Sequence, residues 1–128
     1  MSALAITFSI TAALAAALHV FIFYLESFAW TTKARTVFGT SEEDAINTKE
    51  MAFNQGFYNL FLAIVTIAGI IAYPGSHAVG LALILAGVSS MFAAAAVLGL
   101  TSPDKRGAAA KQGALPLLTL VLMAVAAL

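Results

Sequence analysis

A chain of 128 residues that is 62% hydrophobic and 9% charged lies far outside the range of soluble globular domains. Zero formal net charge and the lack of a solvated basic face argue against nucleic-acid binding. With no cysteine, disulfides and thiolate chemistry are excluded.

Apolar runs at about 3–30, 50–73, 78–100 and 109–128 predict one all-α domain, a four-helix transmembrane bundle with up-down topology. A helix needs about 20 residues to cross the hydrocarbon core, and the first three runs meet that length comfortably. The first run has no basic region before it and is too long for a cleaved leader. Tyr24, Phe28 and Trp30 near its carboxyl end suit a membrane–water interface. His19 and Glu26, seven residues apart, share one face of this helix.

Residues 31–49 read as a polar cytoplasmic loop, with Ser41 capping a short helix through Asp44. Glu42, Glu43 and Asp44 read there as a wetted charge run. The second span opens with Lys49 and Glu50 and continues Asn54-Gln55-Gly56-Phe57-Tyr58-Asn59. Glu50, Asn54 and Tyr58 recur every four residues on one stripe, with Gln55 and Asn59 on the stripe beside it. Gly56 would admit a neighbouring backbone or a ligand.

Tyr73-Pro74-Gly75-Ser76 predicts a tight turn, so the second and third spans become antiparallel neighbours. Small residues recur at Ala82, Ala86, Ser90 and Ala94 in the third span, and at Ser9, Ala13 and Ala17 in the first. Such ladders either let helices approach closely in lipid or are simply alanine-rich spans. Ser102-Pro103-Asp104-Lys105 breaks the chain again. In the fourth span Lys111 would snorkel, and Pro116 would sit in the first turn or kink the helix.

All six basic residues fall in two segments. Lys33, Arg35 and Lys49 follow the first span, and Lys105, Arg106 and Lys111 follow the third. Basic segments resist translocation, so both loops are expected in the cytoplasm and both termini outside.

Counting ~1.5 Å per residue inward from Trp30 and Lys49 puts Glu26 ~6 Å deep, Asn54 ~7 Å, Asn59 ~15 Å and His19 ~16 Å. Ser89 and Ser90 arrive at a similar level. A carboxylate at that depth needs partners, and the amides of the second span are the available donors. The candidate ligand-binding residues are therefore Glu26, Asn54, Gln55, Asn59, Tyr58, His19 and Glu50. Each has a plainer reading: interhelical adhesion for the amides, packing for Tyr58, solvation for Glu50, and a backbone bond for His19. His77 is too far from His19 to share a metal, and no metal or cofactor pattern is present.

The run from Lys49 to Ala63, with Asn54-Gln55-Gly56-Phe57-Tyr58-Asn59 at its centre, resembles the signature of the bacterial membrane family called domain of unknown function 1304. His19 and Glu26 in a long first helix are similar too, so the resemblance covers nearly the whole chain. It implies a short four-helix protein of the bacterial inner membrane and no established activity. The architecture is also similar to the membrane-associated eicosanoid and glutathione transferases, trimers that bind glutathione between subunits. Asn54 matches an Asn of their second helix, but position 57 is Phe where Glu is expected and no Arg precedes Asn54.

These readings combine in a polar pocket open to the cytoplasmic leaflet between the first two spans, holding a small amphipathic or lipid-like ligand in a homo-oligomer, dimer or trimer. A transferase of lipophilic substrates and a small proton-coupled transporter are the alternatives. If chemistry occurs, Glu26 or His19 is its natural acid or base.

Overall fold

The computed structural model describes residues 1–128, and every element in it is helical. Helix α1 (Ala3–Phe28) starts where the Ser2 hydroxyl accepts the Ala5 amide at 3.1 Å. A turn leads to the short α2 (Lys33–Phe38), which ends at Gly39 with φ of 64°, a left-handed stop that suits glycine. Then come α3 (Glu42–Ala72), α4 (His77–Thr101), a 3-10 turn (Pro103–Lys105) and α5 (Arg106–Ala126).

The long α3 corrects the polar loop expected over 31–49. The Ser41 hydroxyl does accept the Asp44 amide, at 3.1 Å, but the helix it caps runs on for 31 residues. Glu42, Glu43 and Asp44 occupy the first turn, where the helix dipole favours acids. The change from polar to apolar residues near Lys49 marks a change of solvent, not a helix boundary. At ~46 Å, α3 outreaches a ~30 Å hydrocarbon core, so its first turns project beyond it.

Four helices are long and apolar enough to cross a membrane. They form an antiparallel ring in which α1 packs on α3 and α5, and α4 packs on the same two. Phe8 meets Tyr73 edge-on at 5.5 Å near one end of the α1–α3 pair, and Ser27 donates to the Phe53 carbonyl at 2.8 Å near the other. Gly69 sets the α3–α4 crossing, because a Cβ there would lie 2.6 Å from the Ile84 nitrogen. Thr11 and Thr119 join α1 to α5 through their hydroxyls at 2.9 Å. The chain termini and the 73–76 turn thus lie at one end. Both basic segments lie at the other, where Lys105 reaches the carbonyl of Phe38.

The core occupies the half nearer the termini, with Ala5, Phe8, Ala12 and Ala15 facing Ile84, Val88 and Met91 across the ring. The predicted small-residue ladders do not build it. Ala82, Ala86, Ser90 and Ala94 are exposed, and of the other ladder Ser9 is buried, Ala13 half-buried and Ala17 exposed. Glycines at the crossings provide the close approach instead. Pro116 lies deep inside α5, fully buried, and not in its first turn. It returns no N–H to the carbonyl of Gln112 one turn earlier.

Candidate functional site

Glu26 lies on the inner face of α1, 6% exposed, beside the fully buried Leu25. Its neighbour Ser27 holds α3 close through the Phe53 carbonyl, and Gly56 makes that closeness feasible. A Cβ at Gly56 would collide with the Ser27 hydroxyl and lie 3.0 Å from the Phe23 carbonyl oxygen. This crossing turns the Gln55–Asn59 stripe onto the carboxylate. Asn59 Nδ2 donates to Glu26 Oε2 at 2.7 Å, and Gln55 Nε2 donates to Oε1 at 3.5 Å. Asn59 Nδ2 also donates to the Gln55 carbonyl at 3.3 Å.

The carboxylate opens onto a cavity of about 400 Å³ in the mouth of the ring, at the basic end. Asp44, Thr48, Gln55 and Asn59 of α3 line one side, Ala94 and Leu98 of α4 another, and Gln112 of α5 a third. Trp30, Phe38, Gly39 and Thr40 cover it with Asp104 and Lys105. The cavity therefore draws on all four long helices, where the sequence pointed to a pocket between the first two spans. Trp30 Nε1 donates to the Thr48 hydroxyl at 3.0 Å, which donates in turn to the Asp44 carbonyl at 2.6 Å.

The charge balance of this cavity is acidic. Its acidic lining residues are the buried Glu26 and the solvent-exposed Asp44 and Asp104, against a single basic one, Lys105. That ammonium is already engaged: it donates to the Phe38 carbonyl at 2.6 Å and the Gly39 carbonyl at 3.3 Å, and pairs with Asp104 at 3.8 Å. Glu26 has no cationic partner, only amides. An ionised carboxylate so placed favours a positively charged guest.

The other predicted site residues do not join it. Glu50, Asn54 and Tyr58 are exposed on the far stripe of α3, where Asn54 Nδ2 donates to the Glu50 carbonyl at 3.3 Å and Tyr58 is 70% exposed. Stripes one residue apart on a helix differ by about 100°, so only one of them can face α1. His19 is buried farther along α1 and bonds the Ala15 carbonyl at 2.8 Å through Nδ1, away from the cavity lining. Ser89 and Ser90 turn back to the Ala86 carbonyl, at 3.5 and 2.7 Å. No group of three or more His, Asp or Glu side chains gathers that could hold a metal ion.

Sequence reasoning missed Trp30, Thr48, Asp44, Gln112 and the Asp104–Lys105 pair as cavity residues. A signal for part of the set was present. Asp44, Thr48, Gln55 and Asn59 are spaced by four, seven and four, one face of a single helix. Reading residues 31–49 as a loop cut that face in two.

Four spanning-length apolar helices around an inward-facing carboxylate define a multi-pass membrane protein of the four-helix-bundle class. The chain belongs to the family described as Protein of unknown function (DUF1304), whose model matches residues 13–124. No curated protein and no solved structure matches it. The likeness to eicosanoid and glutathione transferases finds no support in these comparisons.

Proposed function

We propose that this protein binds a small amphipathic cation, an organic ammonium group with a modest apolar part, in the cavity at its basic end. The observation that carries this reading is Glu26: a buried carboxylate held by two amides and paired with no cation. Glu26 is the counter-ion, Asn59 and Gln55 fix its two oxygens, and Trp30 offers an aromatic face to the cation. Leu98 and Phe38 meet the apolar part. The basic end faces the cytoplasm in this reading, because of the charge asymmetry between the two ends.

Trp30 is the single tryptophan and lines the cavity, so its fluorescence reports occupancy. Titration of the chain in lipid nanodiscs with ethylammonium should change Trp30 emission saturably. Glu26→Gln keeps the shape and removes the charge, and should weaken binding at least tenfold. Equal binding by both forms, or by neither, would overturn the assignment.

A second reading has one observation behind it. Four of the six buried polar residues, Ser9, Thr11, His19 and Glu26, lie on the interior side of α1 along most of its length. Intramembrane ionisable groups commonly mark ion paths, and this file suits a small proton-coupled exporter of the same cation. Glu26-dependent flux in proteoliposomes would separate export from simple binding.

A further inference from the structure

Beside the polar cavity lies a second space of about 140 Å³, on the outer side of the bundle between α1 and α5 and next to α2. Leu18, Phe21 and Leu25 of α1, Val37 of α2, and Ala108 and Lys111 of α5 bound it. Its surface is almost wholly apolar, although Lys111 and Gln112 are among the residues that bound it. Two residues line both spaces: Phe38 and Gln112. These side chains form the partition between an acidic chamber inside the ring and an apolar groove outside it.

We propose that the two spaces are the halves of one site for a single-chain cationic amphiphile, with the head on Glu26 and the tail passing between Phe38 and Gln112 into the groove. The inference rests on the cation reading above and adds the substrate class, the route from the bilayer and the gate. The groove has room for four or five methylenes at ~30 Å³ each, about the share of one water in the liquid. Charge orders the two ends. The groove presents almost no polar surface to hold a head group, whereas the chamber is lined by Glu26, Asp44 and Asp104 against one engaged lysine.

The gate is held from the other basic segment. Phe38 is the last residue of α2, and its carbonyl takes the short bond from Lys105. Its ring also lies 5.7 Å from that of Trp30. Releasing the Lys105 clasp frees the end of α2, and with it one side of the partition. Gln112 on the other side belongs to the turn of α5 that Pro116 leaves short of a hydrogen bond.

The test compares ethylammonium with dodecylammonium, using Trp30 emission of the full chain in nanodiscs of zwitterionic lipid. In the native chain, with affinities referred to the free aqueous amine, the long amine should bind more tightly, gaining about fourfold per methylene over the first four or five (~0.8 kcal/mol per CH2 removed from water). Ala108→Phe fills the groove without touching the chamber. It should cut dodecylammonium affinity at least tenfold and leave ethylammonium unchanged. Val37→Phe, on another wall, should do the same and guards against a folding defect at Ala108. If dodecylammonium keeps its full advantage in both variants, the tail does not use the groove and the proposal falls while the cation site stands. If neither amine binds, the cation reading fails and takes this inference with it. If dodecanoate binds as well as the amine and Lys111→Gln releases it, the groove is a separate site for anionic amphiphiles.

Discussion

Asn59 reaches across the α1–α3 crossing and donates its side-chain amide to the Glu26 carboxylate at 2.7 Å. The bond joins residues 33 apart in sequence and gives a buried acid its shortest contact. Gln55, one turn earlier on α3, contributes a longer contact of 3.5 Å to the other oxygen. The two amides therefore differ in weight. Asn59 sets the position of the carboxylate, and Gln55 trims its orientation.

Asn59→Leu should cost roughly 1–3 kcal/mol, the penalty for leaving a buried charged acceptor without its donor. Gln55→Leu should cost less than half of that. Unfolding of the purified variants in mixed micelles by denaturant checks the ranking, and equal losses would contradict the distances.

Gly56→Ala should separate α1 from α3 at the site, because the new methyl meets the Ser27 hydroxyl and the Phe23 carbonyl. Overpacking of this kind costs about 1–3 kcal/mol. Removing the hydroxyl as well, in Gly56→Ala with Ser27→Ala, should recover part of the loss but not all, since the Phe23 carbonyl and the Ser27 nitrogen remain. A double-mutant cycle on thermal unfolding measures the coupling.

Lys105→Met should loosen α2 selectively. The ammonium holds the Phe38 and Gly39 carbonyls, and hydrogen bonds to a charged donor contribute about 1.5–3 kcal/mol. Amide exchange over residues 33–40 should accelerate, with α4 and the apolar part of α3 unchanged. Uniform acceleration through the bundle would mean that the clasp stabilises the whole fold instead.

Thr119→Val should have little effect despite the complete burial of this residue. The Thr11–Thr119 bond is one interhelical contact, and such bonds contribute about 0.6 kcal/mol on average inside membranes. Valine keeps the shape. A loss above about 2 kcal/mol would show that the hydroxyl pair does more than tie α1 to α5.

Orientation is open to a direct check, because the chain contains no native cysteine. Single cysteines at Ser76 and at Thr36 lie at opposite ends of the bundle. In intact cells a membrane-impermeant maleimide should label position 76 and spare position 36. The reverse pattern would invert the topology argued from the basic residues.

Much of the architecture was legible in the residues themselves. Hydropathy over spans of twenty residues is an additive property, so it marks four crossing helices without knowledge of their neighbours. Turn chemistry at Pro74 and Pro103 is equally local, as is the distribution of the basic residues. Helix ends were harder. Residues 42–49 are polar and helical at once, because Ser41 and the acids after it stabilise a first turn in water. Hydropathy reports solvent, not hydrogen bonding, and so placed that boundary eight residues late.

The candidate site divides along the same line. Glu26, Gln55 and Asn59 stood out as polar residues in apolar spans, and the need of a buried carboxylate for donors is a matter of chemistry alone. Which amides would meet it was decided by helix rotation, and that depends on Gly56 lying against Ser27. The same rotation sent Glu50, Asn54 and Tyr58 outward. Trp30, Thr48 and Gln112 come from three separate stretches of sequence, and only the closing of the ring sets them around one space. Local pattern determines which segments enter the bilayer. Side-chain packing between helices, a cooperative and long-range property, decides which polar groups face one another once they are there.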